Sequence, residues 1–427
     1  MRLATKRRSS VVGVLLLSGA SACGPTRPAP QHPVTIAPRP VAVAPAVAPV
    51  RRSKAEEAGR VAFLAVAKDY SAAARPLDRQ RCGELAERFA AVYTQHKLVE
   101  ARFNVAALWD ECGDVARADQ LYRELLQAHP GYGPALNNRG RAALLAGRRA
   151  EAVDLFRQAM TAGSSDGYVN VALLQRERAL AGDEGALREA VDNIHRALAV
   201  DSYNIQAYDA LATLVFDRAK TSADLETARL ICVQAAKQRP DYAPVYNVLG
   251  LVLLRMNEVT RALRQFRQAV ELDDRFTEAH MNIGAITLGF RDYKTAEQSF
   301  AKVLALSPDA ATKFQATIGL GVAYRGQRRF DQALAQYRAA EALDGSQPAV
   351  AFNIGVLLQD YLFDAGNPSK AVEQLRQAMT LLRRFAASSS SDARKRADAE
   401  RRIKNIEELL PMLEEQQRLQ GPAQKAP

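Results

Sequence analysis

The sequence contains few of the patterns from which enzymes build catalytic or metal-binding sites. Its five histidines are scattered, and none forms part of an H-E-x-x-H motif or a cluster with cysteine. No phosphate-binding P-loop and no Rossmann fingerprint occurs. Adjacent carboxylates such as Asp273-Asp274 and Glu414-Glu415 fall at expected helix ends or surfaces, where solvated acids are common. We therefore expect that the protein is not an enzyme and has no catalytic residues, no metal ligands and no bound cofactor.

The sequence also lacks a basic stripe interleaved with stacking aromatic residues, which nucleic-acid binding requires. Four of the cations behind the net charge of +11 lie within the first eight residues. The others alternate with Asp and Glu along the expected helices, as on solvated faces. We expect no nucleic-acid partner.

The N-terminal apolar stretch, Val11–Leu17, is far shorter than the roughly 20 residues that a membrane-spanning helix needs. It follows a short basic segment and precedes the small residues Ala20-Ser21-Ala22-Cys23. This order is typical of a cleaved secretory signal, so we expect residues 1–22 to be removed.

The sequence Ala20-Ser21-Ala22-Cys23 resembles the lipobox of bacterial lipoproteins. The resemblance implies cleavage before Cys23 and a covalent lipid on Cys23, which would attach the protein to a membrane. Gly24 follows in place of Asp, and the sorting rule of that family then implies the outer membrane, with the body in the periplasm. The alternative is an ordinary secretory signal cleaved after Ala22, with Cys23 incidental.

The segment Gly24–Val50 contains eight of the 19 prolines and shows no hydrophobic period. Such a composition predicts an extended polyproline II stalk and no packed core. At about 3.1 Å per residue, its 27 residues reach up to roughly 80 Å. The stalk would hold a globular body away from the membrane.

A spacing of Ala-x3-aromatic-x2-Ala recurs about every 34 residues, with a small residue 12 positions before each first alanine. The five clearest occurrences begin at Ala118, Ala152, Ala262, Ala296 and Ala333, and the small residues are Ala106, Gly140, Gly250, Gly284 and Gly321. The pattern predicts pairs of helices, with a small residue where the partner helix crosses.

The pattern resembles the tetratricopeptide repeat, and the best match is Tyr246-x2-Leu249-Gly250-x2-Leu253 followed by Ala262, Phe266 and Ala269. The resemblance implies an all-α fold, a right-handed superhelix (alpha-solenoid) of about eight helix pairs plus capping helices. We expect the following organisation: signal peptide 1–22, lipidated Cys23 and stalk 23–52, N-terminal helices 53–98, repeat solenoid 99–386, and C-terminal capping helix and tail 387–427.

In three units the first alanine lies 16 residues after the small residue instead of 12. The additional residues fall near Gly182–Gly185, Lys220–Asp224 and Asp364–Pro368, at the turn between the two helices of each pair. Four residues are about one helical turn, so each pair can lengthen without losing its packing phase. The insertions mark either a binding edge or neutral drift in loop length.

The family resemblance implies that the first helix of each pair lines a concave groove that binds a peptide. The positions expected to face the groove are polar in the first half of the chain: Asn137, Arg141, Gln175, Arg178 and Asp209. In the second half they are mostly apolar: Asn247, Leu251, Leu254, Met281, Leu288, Ile318, Val322, Phe352 and Val356. Either a partner covers these apolar residues, or they pack against adjacent helices.

Three cysteines remain besides Cys23, and an odd number cannot all pair in an oxidising compartment. Cys82 and Cys112 lie on neighbouring expected helices and could pair. Cys232 occupies the aromatic position of its repeat, so we expect a buried small hydrophobe.

Residues after 387 leave the repeat pattern, and Asp392–Gln420 is predicted to be a helix that Pro411 kinks or interrupts. This helix either covers the apolar face of the last repeat or folds into the groove and blocks it.

Together these features predict a membrane-tethered scaffold for protein–protein interactions in an envelope machine, with envelope proteins bound in the groove. The arrangement resembles the tetratricopeptide lipoproteins of myxobacterial adventurous gliding motility. Two alternatives are a pilotin-like assembly factor for a secretin or type IV pilus, and a regulator of a peptidoglycan enzyme.

Overall fold

A computed structural model describes residues 54–73, 77–306, 309–364, 366–388 and 393–419. Within these residues the fold is all-α, with 19 helices and no strand. The predicted signal peptide, Cys23 and the stalk lie outside the described residues. The chain divides into two compact units, and the boundary falls between Pro240 and Asp241, inside the expected solenoid.

The helices of the N-terminal unit are α1 (Lys54–Ala72), α2 (Arg79–His96), α3 (Val99–Glu111), α4 (Val115–Ala128), α5 (Gly133–Leu145), α6 (Arg149–Thr161), α7 (Ser165–Leu180), α8 (Glu184–Val200), α9 (Ile205–Arg218) and α10 (Ser222–Gln238). Those of the C-terminal unit are α11 (Ala243–Arg255), α12 (Val259–Leu272), α13 (Thr277–Gly289), α14 (Tyr293–Leu306), α15 (Ala310–Gly326), α16 (Phe330–Leu343), α17 (Pro348–Asp360), α18 (Pro368–Ala386) and α19 (Ala393–Leu419).

Each odd-numbered helix from α3 to α17 packs against the even-numbered helix that follows it. We call the first helix of each pair the A helix, the second the B helix, and the connection between them the A–B turn. Residues 99–386 therefore form the eight expected pairs, α1 and α2 precede them, and α19 follows. The predicted all-α fold of stacked helix pairs is confirmed.

Small residues lie where the helices of a pair cross, as the sequence predicts. A β-carbon added at Gly250 would lie 2.6 Å from the ring of Phe266, and one at Gly140 would lie 2.6 Å from the ring of Phe156. Ala262, Phe266 and Ala269, the spaced residues of α12, are fully buried. The recurring motif is thus the contact surface between paired helices.

The last residue before each B helix repeatedly has a left-handed backbone. In the N-terminal unit this position holds glycine, at Gly113, Gly147 and Gly182. In the C-terminal unit it holds Asn257, Arg291 and Arg328, with φ of 64°, 59° and 62°. A left-handed conformation costs about 1–2 kcal/mol for a residue with a β-carbon, so the two arginines occupy an unfavourable backbone position.

The inserted residues lengthen the B helices of three pairs. Regular B helices such as α4 and α12 have 14 residues, whereas α8 and α10 have 17 and α18 has 19. In the last of these pairs part of the insertion forms the connection between Asp360 and Pro368 instead. Each insertion is therefore absorbed at the A–B end of its pair.

Helix α19 packs against α18 through the buried residues Ile406, Leu410 and Leu413. Two ion pairs join the same helices, Arg376–Glu414 at 2.8 Å and Arg383–Glu407 at 2.6 Å. The helix takes the place that a further A helix would occupy, so it covers the apolar face of the last pair. Pro411 lies inside α19 and does not interrupt it.

A disulfide joins Cys82 on α2 to Cys112 at the end of α3, with the Cα atoms 6.6 Å apart. The third described cysteine, Cys232 on α10, is a free thiol and is fully buried, as expected. Burial raises its pKa well above the ordinary value, and the charge of Asp209 adds to that effect.

Candidate functional site

The structure buries six of the nine side chains predicted to face the groove of the C-terminal unit. None of these six exposes more than 8% of its surface: Asn247, Leu288, Ile318, Val322, Phe352 and Val356. Leu251, Leu254 and Met281 are half-buried. Only these three predicted groove residues therefore offer apolar surface to a partner.

The buried groove residues pack because A helices of successive pairs contact each other as well as their own B helices. Helix α13 contacts α15 directly, and Ile318, Val322 and Phe352 belong to one continuous hydrophobic cluster. The alternative in which these side chains pack against adjacent helices thus describes them, and they need no partner to cover them.

The half-buried residues form a compact apolar surface on α11 and α13. Leu251 and Leu254 are three residues apart, so they share a face of α11. Asn282 on α13 donates a 3.0 Å hydrogen bond to Asn247 on α11, which places Met281 on the neighbouring A helix. We refer to Leu251, Leu254 and Met281 as the apolar groove residues. Their assignment to partner binding stays a prediction.

The groove positions of the N-terminal unit are polar, as predicted, and they bond to one another. Asn170 on α7 donates a 2.6 Å hydrogen bond to Asn137 on α5, and both side chains are buried. Arg141 forms an ion pair with Asp110 across α3 and α5. Burial raises the pKa of Asp110 above its usual value, although the charge and hydrogen bond of Arg141 act in the opposite direction.

A second buried ion pair joins the A helices α7 and α9. Arg176 donates hydrogen bonds of 2.5 and 3.3 Å to the two carboxylate oxygens of Asp217. Their side chains are only 11% and 7% exposed. Paired charges of this kind hold neighbouring A helices in register and leave few free polar groups for a ligand.

The remaining polar groove residues are closer to solvent. Gln175 donates a 3.0 Å hydrogen bond to Glu189, and Arg178 forms an ion pair with Asp183 at 2.5 Å. The side chain of Arg178 is 57% exposed. Of the five polar positions named from the sequence, Arg178 is thus the one with a largely exposed side chain, while Asp209 is half-buried.

Sequence reasoning did not identify Asp110, Asn170, Arg176 and Asp217 as part of this network. One signal was present: Asn137 and Asn170 are 33 residues apart and Asn247 and Asn282 are 35 apart, close to one repeat. Recurrent asparagines at the repeat period indicate a ladder of hydrogen bonds between A helices.

The chain contains one G-x-S-x-G sequence, Gly163–Gly167, which the search for catalytic motifs also overlooked. Its central Ser165 is the second residue after a turn that begins α7, and it is buried. Its hydroxyl donates to the carbonyl oxygen of Ala197 at 2.9 Å and accepts from Asn204 at 2.8 Å. Those bonds connect α7 to α8 and to the start of α9, and a helix–turn–helix setting is not the strand–turn–helix of a nucleophile elbow.

Two further searches covered the described residues. They contain no group of three or more His, Cys, Asp or Glu side chains placed to hold a metal ion. In the same part of the chain, no helix combines the length and the apolar character that membrane crossing requires.

Comparison with known proteins identifies the repeat. A family model described as tetratricopeptide repeat matches residues 111–167, in the N-terminal unit, and residues 247–311, in the C-terminal unit. Superkiller protein 3 of Schizosaccharomyces pombe is 24% identical over 224 residues, and the match covers 41% of this chain. The chain spans only 16% of the length of that relative.

Solved structures share the fold at low sequence identity. A monomeric mutant of IFIT1 with m7Gppp-AAAA has a TM-score of 0.51 and 16% identity, and the match covers 77% of this chain and 76% of that one. The structure of pilF from Pseudomonas aeruginosa matches 50% of this chain and 93% of its own, with 18% identity and a TM-score of 0.40. Likeness at these levels bears on the fold alone. The matched residues and the helix pairs around them establish that both units of this chain contain tetratricopeptide repeats.

Proposed function

We propose that this protein is a non-catalytic scaffold that binds protein partners and is tethered to the bacterial outer membrane by a lipid on Cys23. The observation that carries the proposal is the presence of tetratricopeptide repeats in both units, since such repeats generally serve protein–protein interaction. The apolar groove residues, Leu251, Leu254 and Met281, are the contact surface that we assign to a partner.

Export supports the tether. The Cys82–Cys112 disulfide fits an oxidising compartment such as the periplasm, where disulfides persist. The lipobox-like sequence ending at Cys23 and the proline-rich segment after it supply an anchor and a spacer. A body held in this way meets other envelope proteins at a limited distance from the membrane, which raises their effective concentration.

Fractionation of cells tests the tether. We expect Cys23→Ala to move the protein from the membrane fraction to the soluble fraction, because the variant has no thiol to acylate. Gly24→Ser keeps the cysteine and should remain in membranes. If the Cys23→Ala protein stays with the membrane, another element anchors it.

Affinity purification from detergent-solubilised membranes tests the groove. We expect Leu251→Glu combined with Met281→Glu to reduce partner recovery at least tenfold, because both residues are half-buried and two carboxylates would be desolvated at the interface. Leu343→Glu, on an exposed residue of α16 in the same unit, is the matched control. Equal recovery from all three proteins would move the partner site elsewhere.

The envelope machine that we propose is a gliding-motility apparatus, on the general likeness of the lipidated stalk and repeats to gliding lipoproteins. Deletion of the gene should then abolish single-cell movement, and wild-type protein should restore it. Loss of secretin multimers with normal gliding would instead favour the pilotin-like role. Recovery of a peptidoglycan enzyme as the main partner would favour a regulator of the cell wall.

A further inference from the structure

The A–B turns of the C-terminal unit place arginine where the backbone favours glycine. Arg291 and Arg328 both precede a B helix and both have positive φ, whereas the same position in the N-terminal unit holds Gly113, Gly147 and Gly182. Positive φ in a residue with a β-carbon is disfavoured and tends to be retained where a function depends on the side chain. Two equivalent arginines in successive turns therefore direct attention to this edge.

The cations on this edge are exposed and lack ion-pair partners. Arg291, Lys294 and Arg328 form no ion pair or hydrogen bond through their side chains with any residue that the structure describes. The adjacent Arg329 is different, because it donates to Glu297 at 2.8 Å. Asp292 and Asp331 are the acids interspersed with these cations.

The two turns are fixed side by side. The side-chain amide of Gln327 donates to the carbonyl oxygen of Tyr293 at 3.3 Å and to the carboxylate of Glu297 at 2.7 Å. Gly326 lies directly against the ring of Tyr293. Since the turns follow the contacting helices α13 and α15, they repeat at the spacing of packed helices, about 10 Å.

Aromatic rings flank the cations. Phe290 precedes Arg291 and is 52% exposed. In the following turn Phe330 stacks on Tyr361, with ring centroids 4.8 Å apart, and Tyr361 is 45% exposed. The edge thus combines rigidly placed cations with apolar surface, a composition typical of protein interfaces.

We propose that these residues form a docking surface for an extended acidic segment of a partner protein. We call the surface the basic edge, and its members are Phe290, Arg291, Lys294, Arg328 and Tyr361. An extended chain advances about 3.3 Å per residue, so carboxylates three residues apart match a repeat of about 10 Å. Guanidinium groups bind carboxylates through paired hydrogen bonds, which favours arginine at the two turn positions.

A segment with spaced carboxylates fits the basic edge better than a flat anionic membrane does. The cations lie in a row one turn wide, and Asp292 and Asp331 accompany them. A lipid surface would meet the acids together with the cations, whereas an extended segment contacts the cations one at a time. The inference rests on the proposed scaffold function and adds a partner chemistry and a surface distinct from the apolar groove residues.

Titration of the full-length protein in detergent with labelled peptides tests the basic edge. The probe is a peptide with Glu at every third position, separated by Gly and Ser, and its anisotropy is measured at low salt. We expect saturable binding that weakens as salt rises. A peptide of the same composition with its glutamates clustered together should bind at least fivefold more weakly. Equal binding of the two peptides would overturn the spacing argument.

The decisive variant is Arg291→Gly combined with Arg328→Gly. Glycine suits a positive φ, so this protein should fold and melt at the wild-type temperature or above, while peptide binding falls at least tenfold. Asn257→Gly changes the equivalent turn residue without removing a charge and should bind as the wild type does. Unchanged binding in the double variant would overturn the proposal.

Two further measurements separate this inference from its alternatives. Vesicles of phosphatidylglycerol should not bind better to the wild type than to the double variant, and a difference there that exceeds the peptide effect would assign the edge to lipid. The Leu251→Glu/Met281→Glu protein should keep peptide binding. If peptide binding is absent while partner recovery is normal, the basic edge fails and the scaffold function does not.

Discussion

Glycine is needed at the helix crossings because ring carbons occupy the space of a β-carbon. At Gly321 an added β-carbon would lie 2.5 Å from the ring of Tyr337, which is fully buried. We predict that Gly321→Leu destabilises the C-terminal unit by about 1–3 kcal/mol, the usual cost of overpacking a core. Urea unfolding followed by circular dichroism measures the change.

Gly131 provides the comparison for that measurement, because a β-carbon there meets no atom within 4 Å. Gly131→Ala should leave the unfolding midpoint unchanged. A Gly321→Leu protein as stable as Gly131→Ala would show that α15 and α16 can move apart at little cost.

The sequence predicted these crossing residues but not the burial of the groove positions. An offset of 12 residues identifies which residue meets the partner helix within a pair. The same periodicity identifies the face on which Ile318 and Phe352 lie, yet the distance between successive A helices depends on the packing of all neighbours. Exposure along the groove therefore required the structure.

At the scale of helices, the pair Arg176–Asp217 ties α7 to α9 with both side chains buried. We predict that Asp217→Asn costs about 3–5 kcal/mol, because it leaves the charge of Arg176 buried without its counter-ion. Replacing both residues, Arg176→Met with Asp217→Leu, should cost far less. Urea unfolding of the three proteins measures the difference.

The exposed pair Arg157–Asp154 is the matched control for the buried pair. Its side chains are 69% and 70% exposed, and Asp154→Asn should change stability by less than about 1 kcal/mol. If Asp217→Asn behaves like Asp154→Asn, water reaches the α7–α9 contact and the pair does not fix the two helices.

Glu297 gives the C-terminal unit a dependence on acid pH. Burial would raise its pKa, but hydrogen bonds from Gln327 and Arg329 and the charge of Arg329 outweigh burial and hold the pKa below 4.5. The folded chain therefore binds this proton less readily than the unfolded chain does. The contribution of Glu297 to stability is present above pH 4.5 and is lost as the pH falls through the folded pKa.

Melting temperatures measured between pH 3 and 6 test this sign. We predict that Glu297→Gln loses less stability than the wild type over that range, because it has no proton to gain. Glu271→Gln, on an exposed residue of α12, should follow the wild-type curve. A Glu297→Gln curve parallel to the wild type would mean that other carboxylates govern the acid response.

Helix boundaries show how far the repeat pattern extends. The pattern predicted eight pairs and a helix after them, and these helices are present. It also located the insertions, but it did not specify that α8 and α10 lengthen while part of the last insertion becomes a connection. Four extra residues satisfy either outcome, since one helical turn and one loop have the same length in sequence.

At the scale of the whole molecule, a repeat protein behaves as a row of elements that interact mainly with their neighbours. The chain divides at Pro240 and Asp241 into two units, and the Cys82–Cys112 disulfide belongs to the first. The repeat period does not predict this division, because the period is the same on both sides of it. A local change should therefore have local effects.

Removal of the disulfide tests that expectation. The bond closes a loop with a sequence separation of 30. A loop of this size contributes about 3–4 kcal/mol in the chain-entropy model. We predict that Cys82→Ala with Cys112→Ala reduces hydrogen-exchange protection in α2, α3 and α4 and leaves α11 to α18 unchanged. Dithiothreitol added to the wild type is the control without substitution and should reproduce the pattern. Equal loss of protection in both units would show instead that the chain unfolds as one cooperative body, and nearest-neighbour energetics would then not describe it.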